Sequence, residues 1–429
     1  MNLYDELTWR GLVYDATDGL SNAFATERVT AYIGFDPTAS SLHIGNLLGL
    51  VTLARLQRCG HSPIAIAGGG TGMIGDPSGK SQERTLLTLD QINANLDGIK
   101  PQLAQFLDFS RPDNPARVVN NADWLATFDL LGFLRDTGKY FTVNYMLQKE
   151  SVNRRLESAD GISYTEFSYL LLQARDFLEL FERYGCTLQM GGSDQWGNIT
   201  AGIELIRKVH GKKAHGLVTP LVTTASGAKF GKTEAGTIWL DSSRTTVQEF
   251  RNFWLNTDDR DVVAYLKFFT FLTRAEIDDL EAQAQLAPEK RHAQQVLADQ
   301  VTTLVHGAED ATRAGSANAV LFSASTRTGD AADAASLADS LLAIADDVPS
   351  TTMAGTEFDG NGMNVVDVVA RVLGASKSEA RRLVQQGGVS VNDRKIADAT
   401  ARLTRADAID GRVFLLRKGG RQRFVIRLA

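Results

Sequence analysis

The stretch PTASSLHIGN, residues 37–46, follows an apolar run at residues 30–35 and opens a helix of recurring apolar residues. A strand, a loop and a helix in this order are typical of a parallel α/β sheet. The first turn of such a helix leaves backbone N–H groups unpaired and carries the positive end of the helix dipole, so it attracts phosphate. His43 can donate to that phosphate or place positive charge against it, Asn46 can offer an amide donor, and Gly45 leaves room for a nucleotide. The stretch predicts a nucleotide-binding loop; taken alone, it also fits a plain helix start.

A second phosphate-type loop, KFGKT at residues 229–233, lies far downstream and favours the nucleotide interpretation. Two stretches, 75–81 and 227–233, look like a P-loop, but three residues separate their glycines where that motif needs four. The stretch 70–75 matches the dinucleotide-binding pattern, yet a turn signal at 76–79 stands where that pattern requires a helix start. We interpret residues 70–75 as a backbone loop that approaches substrate.

The two loops resemble the HIGH signature and the KMSKS loop of class I aminoacyl-tRNA synthetases. Within that class, the chain resembles the family of bacterial tyrosyl-tRNA synthetases over nearly its whole length, and least from about 310 to 360. The residues that carry this further resemblance are Tyr32, Asp36, Asp76, 164–176 and 191–198. The family usually has a second His where this chain has Asn46, which keeps a neutral donor but cannot be cationic.

The resemblance and the hydrophobic pattern predict an α/β fold: a Rossmann-like parallel-sheet catalytic domain, then an α-helical domain and a small α+β RNA-binding domain. The predicted segments are the catalytic domain at 1–225, a KMSKS-type loop with an α-helical anticodon-stem domain at 226–322, a linker at 323–362 and the small basic RNA-binding domain at 363–429. Strands are predicted at 30–35, 63–67 and 118–119, and helices at 44–59, 88–108 and, within the linker, 334–346. Because ligands bind at the carboxyl ends of parallel strands, the polar residues near these ends are expected at one edge of the sheet.

Charge is distributed unevenly along the chain. Residues 363–429 hold 14 Lys and Arg against 6 Asp and Glu, a net charge of +8 in a chain whose total is −6. Helices are predicted at 365–373 and 376–384, the second with a capping box, followed by a strand–turn–strand unit at 387–394. This segment looks like the small RNA-binding domain shared by a ribosomal protein and pseudouridine synthases; a merely solvated basic surface is the alternative. The residues predicted to bind RNA are Lys377, Arg381, Arg382 and Arg394.

Size and composition predict a multidomain cytoplasmic enzyme. The chain has 429 residues, of which 43% are hydrophobic and 22% charged, enough for two or three domains with cores of their own. No apolar stretch approaches the ~20 residues of a membrane span, and the N-terminus lacks the pattern of a signal peptide. Cys59 and Cys186 have no metal-ligand spacing and the histidines are scattered, so we expect no protein-held metal and no membrane partner.

Recognition of the amino acid is predicted to depend on one helix face. Tyr169, Gln173 and Asp176 are spaced at i, i+4 and i+7, and polar groups on such an otherwise apolar stripe are costly to bury without a partner. The substrate could be that partner, although a satisfied internal network would explain any single residue. By resemblance, Asp176 and Tyr32 bind the substrate phenol, while other side chains surround its ammonium and carboxylate groups. The predicted tyrosine-binding set is Tyr32, Asp36, Asp76, Tyr169, Gln173, Asp176 and Gln195.

By resemblance, the reaction is that of a tyrosine–tRNA ligase. The tyrosine carboxylate attacks the α-phosphate of ATP, pyrophosphate leaves, and the 3′-terminal ribose of tRNA(Tyr) attacks the mixed anhydride; catalysis is positioning and charge stabilisation. The predicted catalytic residues are His43, Asn46, Lys229, Lys232 and Thr38, with Lys80 and Arg84 assisting from another loop. The predicted ATP-binding residues are His43, Gly45, Asn46, Gly192, Asp194, Lys229, Lys232 and Thr233. Mg²⁺ is expected to accompany ATP.

The segment 131–147 is apolar beyond one helix face and resembles the family's homodimer interface; a buried intrachain helix is the alternative.

The sequence leaves three other functions open. A synthetase specific for tryptophan shares the fold, but the indole ring of its substrate has no hydroxyl for Tyr32 and Asp176 to bind. A small-molecule adenylyltransferase would not need the helical domain and basic tail, and a non-catalytic RNA-binding relative would not need His43. Trp196 and Asn198 are expected to pack and cap the helix that runs to His210.

Overall fold

A computed structural model of the chain describes residues 2–78, 86–157, 161–225, 230–233, 236–323, 331–346, 348–419 and 422–429. The chain forms two compact units: unit 1 comprises Met1–Thr246 and Phe253–Val305, and unit 2 comprises Val247–Asn252 and His306–Ala429. Within the described ranges, no helix is both long enough and apolar enough to cross a bilayer.

Unit 1 is built on a six-stranded sheet with the order β1-β6-β5-β2-β3-β4. Its strands are β1 (Asp15–Ala16), β2 (Thr30–Phe35), β3 (Ser62–Ala67), β4 (Arg117–Asn120), β5 (Leu188–Gly192) and β6 (His215–Thr219). All neighbours are parallel except β1, which pairs antiparallel with β6. The chain builds outward from β2 to β3 and β4 and then returns to place β5 on the other side of β2. This reversal makes the carboxyl ends of β2 and β5 a topological switch point, where ligands of open α/β sheets bind.

The parallel α/β prediction is confirmed, and the predicted strands at 30–35, 63–67 and 118–119 correspond to β2, β3 and β4. The helices that follow in chain order up to residue 306 are α1 (Leu3–Trp9), α2 (Leu20–Thr26), α3 (Ile44–Arg58), α4 (Leu89–Gln105), α5 (Ala122–Leu125), α6 (Leu130–Asp136), α7 (Val143–Leu147), α8 (Glu150–Leu156), α9 (Tyr164–Tyr184), α10 (Trp196–His210), α11 (Val247–Leu255), α12 (Val262–Phe269), α13 (Arg274–Leu286) and α14 (His292–His306). A short hairpin joins β7 (Lys232–Thr233) to β8 (Gly236–Thr237).

Two buried arginines tie α1 and α3 to the end of α12. Arg10 donates to the carbonyl oxygens of Lys267 and Thr270, and Arg55 donates to that of Thr270 at 2.7 Å. Cations are favourable at a helix C-terminus because the last carbonyl groups lack helical partners. Burial lowers the pKa of Arg55 to about 9. The helix that begins with the signature residues is thus anchored at its other end.

Unit 2 carries a second sheet with the order β12-β11-β14-β15-β9. Its elements are α15 (Ala308–Ser323), α16 (Ala331–Ala343), β9 (Ser350–Met353), β10 (Met363–Asn364), α17 (Val365–Leu373), α18 (Lys377–Gln385), β11 (Val389–Val391), β12 (Arg394–Ile396), β13 (Arg402–Leu403), β14 (Val413–Lys418) and β15 (Gln422–Leu428). Side chains alternate across β14, so Phe414 and Leu416 pack in one core with α17 and α18, while Val413 and Leu415 pack in another with α15 and α16.

The tail helices, the capping box of α18 and the strand–turn–strand unit agree with the structure. In the predicted linker at 323–362, the expected helix forms as α16, but residues 350–353 also form a strand, β9, that pairs in parallel with β15. Small residues are part of a core here: Ala338 in α16 and Ala345 just after it are fully buried in the same cluster as Leu415 and Val425 of the sheet. The segment is therefore more ordered than its small-residue composition predicts, and the domain limits stay a prediction.

Candidate active site

The signature loop after β2 is held by helix α4. The Asn95 amide donates to the Pro37 carbonyl oxygen at 2.8 Å, and the Gln102 side-chain oxygen accepts from the Leu42 N–H at 2.7 Å. Between these contacts, Gly98 lies so close to the loop that a Cβ there would overlap the Ser40 carbonyl group. The shape of the loop therefore depends on a helix distant in sequence.

His43 is the N-cap of α3 and forms a capping box with Asn46. The His43 Nδ1 accepts from the Gly45 N–H at 3.0 Å, and the Asn46 side-chain oxygen accepts from the His43 N–H at 3.1 Å. Because Nδ1 accepts, a neutral ring carries its proton on Nε2, which can donate to a bound anion. The Asn46 carbonyl is used in the cap, so its NH₂ group is the part left to donate. The space beside Gly45 is filled by the His43 ring itself, since a Cβ would lie 2.7 Å from His43 Cε1.

The described part of the second loop is anchored by aromatic packing. Phe230 is buried and stacks on Phe269 with ring centroids 5.4 Å apart and an interplanar angle of 8°. Three further rings, those of Phe253, Trp254 and Tyr265, contact Phe230 at 5.3–5.9 Å. Such pairs add to the burial of apolar surface and fix the ring's orientation.

The backbone next to Phe230 is tied to the start of α3. The Gly231 carbonyl accepts from the Ile238 N–H at 3.2 Å, and the Ile238 carbonyl accepts from the Ile44 N–H at 3.1 Å. The described backbone of the second loop is thus held next to the start of α3, which carries the signature residues. Lys80, Arg84 and Lys229 lie outside the described residues, and for Lys232 and Thr233 only the backbone is described.

Tyr32 and Asp176 are two buried polar residues that lie near each other. Tyr32 is 2% exposed, and its hydroxyl has no hydrogen-bond partner among the residues that the structure describes. Asp176 is 3% exposed and accepts from Asn121 Nδ2 at 2.9 Å and Trp124 Nε1 at 2.7 Å. Burial raises the pKa of Asp176 to about 7 although these two hydrogen bonds lower it, and burial followed by the nearby Asp176 charge raises the pKa of Tyr32. A ligand group that both donates and accepts a hydrogen bond could therefore pair with the Asp176 carboxylate and the Tyr32 hydroxyl at once.

A second polar network joins the middle of α9 to the residues that follow β5. Gln195 Nε2 donates to Asp76 at 2.7 Å, and the Gln195 oxygen accepts from Gln173 Nε2 at 3.2 Å. Asn198 donates to the Gln173 oxygen at 3.0 Å and to Ser78 Oγ at 3.2 Å. Asp76, Gln173 and Gln195 therefore meet, as the sequence predicts. Asn198, expected only to pack and cap its helix, belongs to the same network.

Asp36 and Asp176 are linked through side chains that follow β3 and β4. Thr71 Oγ1 donates to Asp36 at 3.1 Å and accepts from Asn121 Nδ2 at 2.9 Å, and Asn121 also reaches Asp176. Tyr169 is buried on the same helix as Asp176. The polar residues after four neighbouring strands thus gather at one edge of the sheet.

At the end of β5, Gly192 makes room for neighbouring side chains. A Cβ on Gly192 would lie 2.7 Å from an Asp194 carboxylate oxygen and 3.0 Å from Leu221 Cδ2. Asp194 is exposed, as is Thr38 in the signature loop. Across the described ranges, no group of three or more His, Cys, Asp or Glu could hold a metal ion.

This arrangement of sheet, signature loop and buried polar residues has counterparts among known proteins. The family model described as "tRNA synthetases class I (W and Y)" matches residues 25–323, and that described as "Tyrosine--tRNA ligase SYY-like C-terminal domain" matches residues 341–426. The tyrosine–tRNA ligase of Roseiflexus castenholzii is 56% identical over 427 residues, 99% of both chains. The chain belongs to the tyrosine–tRNA ligase family of class I synthetases. A Geobacillus stearothermophilus member is 51% identical over the full length of both chains.

Solved structures of the synthetases agree with this assignment. A C-terminally truncated mitochondrial tyrosyl-tRNA synthetase of Aspergillus nidulans matches with a TM-score of 0.67 and 32% identity, over 73% of this chain and 92% of that one. A tryptophanyl-tRNA synthetase of Encephalitozoon cuniculi shares the fold, with a TM-score of 0.52 and 14% identity over 71% and 86% of the two chains. The similarity to the tryptophan enzyme concerns the fold alone.

In this tyrosine–tRNA ligase family member, unit 2 presents a basic surface. Arg381, Arg382 and Arg394 are exposed, whereas Lys377 forms an ion pair with Asp367 at 2.6 Å. A polar groove of about 430 Å³ between α17 and α18 is lined by residues that include Gly374, Glu379, Arg382, Gln386 and Lys418. Lys418 was not predicted, because nothing in the sequence near the end of β14 indicates that it faces the two helices.

Proposed function

We propose that the chain activates L-tyrosine with ATP and transfers it to tRNA(Tyr), using the residues gathered at the carboxyl edge of the six-stranded sheet. The observation that carries the choice of amino acid is the buried Asp176 carboxylate beside the Tyr32 hydroxyl, which lacks a partner among the described side chains. The proposal includes a cytoplasmic location, where this chain would meet its RNA substrate.

The substrate phenol is chemically complementary to this pair of residues. Its O–H donates to Asp176, and its oxygen accepts from Tyr32, so the two groups each gain a partner. Phenylalanine would leave the Tyr32 hydroxyl unpaired and would give Asp176 no partner beyond Asn121 and Trp124. A site built to pair with a substrate hydroxyl rejects an analogue that lacks it; tyrosyl-tRNA synthetases are themselves the standard example of this rule. Tryptophan lacks the hydroxyl as well.

The network around Gln195 is proposed to hold the other end of tyrosine. Asp76 supplies negative charge for the ammonium group, with Gln173 and Tyr169 as further partners. Gln195 already bridges Asp76 and Gln173, so its amide is placed to turn toward the carboxylate or the α-phosphate. Asp36 is included among these tyrosine-binding residues, and Thr71 holds its carboxylate in place by donating a hydrogen bond to it.

The N-terminus of α3 is proposed to receive the phosphates of ATP. His43 Nε2 and the Asn46 NH₂ group supply donors where negative charge grows as pyrophosphate leaves, and Thr38 supplies a third. Asp194 and Gly192 are assigned to the ribose, with Gly45 also in contact with ATP. Further phosphate contacts are assigned to Lys229, Lys232, Thr233, Lys80 and Arg84. Mg²⁺ is proposed to enter with ATP, held by phosphate oxygens and water.

The tRNA is proposed to contact both the helical region of residues 226–322 and the basic surface of unit 2. Arg381 and Arg394 carry exposed charges on that surface without a carboxylate at ion-pair distance in the described part of the chain. Contacts of this kind bind phosphate and weaken as salt rises. Arg382 and Lys377 are included, although Asp367 already neutralises Lys377 in the absence of RNA.

The enzyme is proposed to act as a homodimer through α6 and α7. Leu130, Leu131 and Val143 are 71%, 76% and 59% exposed, and α6 has no buried residue, which does not fit the alternative of a buried intrachain helix. Large exposed apolar side chains in sequence mark an interaction surface. Leu131→Glu should give a monomer in sedimentation; a dimer of unchanged stability would contradict the assignment.

Charging of a tRNA(Tyr) transcript with labelled amino acid tests the function. The protein should charge it with tyrosine and reject tryptophan and phenylalanine. Asp176→Asn should weaken tyrosine use strongly. Glu179→Gln is the matched control, because Glu179 is also a buried carboxylate of α9 but pairs with Arg175 and Arg183. Equal losses of tyrosine affinity in both variants would contradict the assigned role of Asp176.

A further inference from the structure

Trp239 lies directly against the signature residues. An isolated antiparallel bridge pairs it with His43, and the flanking Leu240 N–H donates to the Leu42 carbonyl at 2.9 Å. The rings of Trp239 and His43 have centroids 6.0 Å apart at an angle of 64°. Backbone and ring contacts together fix the position of Trp239 relative to His43.

Arg244 is folded back over this ring. Its guanidinium carbon lies 3.5 Å from the Trp239 ring centroid, and its Nη1 lies 3.5 Å from Ser40 Oγ in the signature loop. A turn brings Arg244 back toward the Trp239 ring. The Asp241 carbonyl closes this turn by accepting from the N–H groups of Arg244 and Thr245. Stacking on an aromatic face leaves the N–H donors at the guanidinium edge available.

No carboxylate among the described residues pairs with Arg244, although it is exposed. Arg260 and Arg371, which are also exposed, differ: Arg260 pairs with Asp258 at 2.9 Å and Arg371 with Glu357 at 2.9 Å. A guanidinium that stacks on a Trp and has no carboxylate partner in the described part of the chain is suited to bind phosphate in a bidentate manner.

We propose that Arg244 is a further phosphate-binding residue of the activation step, positioned by Trp239 to contact the β- and γ-phosphates of ATP that leave as pyrophosphate. His43 and Arg244 contact the same indole ring, so their separation is one that a triphosphate can span, with Thr38 and Ser40 in the intervening loop. The inference rests on the proposed function, which places the phosphates at His43. It adds a cation that neither of the two phosphate-type loops contains.

The test is the rate of tyrosyl-adenylate formation and of its reversal by pyrophosphate, measured in single turnovers of the full-length protein. Arg244→Gln should lower both rates roughly 10- to 100-fold, because a charge-assisted hydrogen bond to the leaving group is lost. It should also weaken the apparent affinity for pyrophosphate, which a purely structural role would leave unchanged. Tyrosine affinity should stay the same. Arg244→Lys should recover most of the rate, and Arg244→Met, which keeps the aliphatic stem on Trp239, should behave as Arg244→Gln.

Arg58→Gln is the matched control. Arg58 stacks on Phe271 at the same 3.5 Å, but at the opposite end of α3, so its loss should leave both rates unchanged. His43→Ala, measured in parallel, distinguishes an error in the role of Arg244 from an error in the proposed phosphate site at His43. If His43→Ala slows adenylate formation and Arg244→Gln does not, the role of Arg244 is overturned and the proposed function stands. If neither does, the proposed phosphate site itself is wrong. Normal adenylate formation with slow transfer to tRNA would assign Arg244 to RNA and would also overturn the inference.

Discussion

Replacing Tyr32 by Phe should stabilise the free protein and weaken its binding of tyrosine. The Tyr32 hydroxyl is buried without a partner in the described structure, and a buried hydroxyl left unpaired costs roughly 1–3 kcal/mol. Removing it should therefore raise the free energy of unfolding of the unliganded protein by up to that amount. With tyrosine bound, the same substitution removes one neutral hydrogen bond, worth about 0.5–1.5 kcal/mol, or roughly a 2- to 12-fold loss of affinity.

Urea unfolding with and without tyrosine, together with calorimetric titration of tyrosine, measures both effects. Tyr265→Phe provides the matched control, because the Tyr265 hydroxyl donates to the Thr223 carbonyl oxygen at 3.1 Å. That variant should lose stability and keep its tyrosine affinity. A Tyr32→Phe protein that is less stable than the native one and binds tyrosine equally well would refute the reasoning, because the hydroxyl would then have an internal partner and no substrate.

The remaining predictions address other parts of the chain. His43→Ala should lower the rate of adenylate formation by ~10²–10³ with little change in tyrosine affinity, as measured in single turnovers; equal loss of tyrosine binding would indicate a collapsed site. Gly98→Ala should destabilise the protein and raise the KM for ATP, because roughly 1–3 kcal/mol of overpacking against the signature loop outweighs the ~1 kcal/mol gain in helix propensity. Its control, Gly197→Ala in α10, meets only a lysine side chain at 3.5 Å and should be tolerated in both assays. Burial raises the pKa of Asp176 from 3.8 to about 7 in the folded protein, so the folded state holds this proton more tightly and stability should fall as pH rises from about 4 to 7. The upper bound is roughly 4 kcal/mol, and Asp176→Asn should gain stability relative to the native protein across that window in urea unfolding; a pH-independent difference would contradict it. Ending the chain after Gly307 should leave pyrophosphate exchange nearly intact and abolish most tRNA charging, whereas normal charging would show the basic tail to be only a solvated surface.

The packing of unit 2 is the reason for ending the truncated chain after Gly307. An end near Pro349, the start of the last strand-rich segment, would remove the sheet and leave α15 and α16 with exposed apolar faces, since Leu321 and Leu341 pack against Val413 and Val425. A chain that ends after Gly307 also lacks α15 and α16, so it does not expose their apolar faces, which would otherwise confuse loss of RNA binding with aggregation.

Local sequence signals were sufficient for several elements. The apolar run of β2, the start of α3 at residue 44 and the capping box of α18 follow from patterns within a few residues. The polar residues after β2, β3 and β5 could be placed at one edge because parallel strands share that edge. Asn121 is likewise a polar residue directly after a parallel strand, β4, so its position at this edge could have been predicted. Its hydrogen bond to Asp176 could not, because the two residues are far apart in the sequence and share no motif.

Elements that depend on distant partners could not be predicted. The strand β9 is completed by β15, far along the chain, and β1 has only two residues, too few for a period to show. Trp124 and Asn198 acquire their roles only when α9 is packed beside them. Arg291 adopts a left-handed conformation with φ of 50°, so the turn opened by Pro288 ends there and α14 begins afresh at His292.

The most direct test of the account is pyrophosphate exchange into ATP, measured with each of the amino acids in turn. Exchange reports activation alone and needs no tRNA, so it isolates the site of Tyr32 and Asp176 from the basic surface of unit 2. The account predicts exchange that depends on tyrosine, with tryptophan and phenylalanine near background. Exchange supported equally well by tryptophan or phenylalanine, or absent with every amino acid, would contradict it.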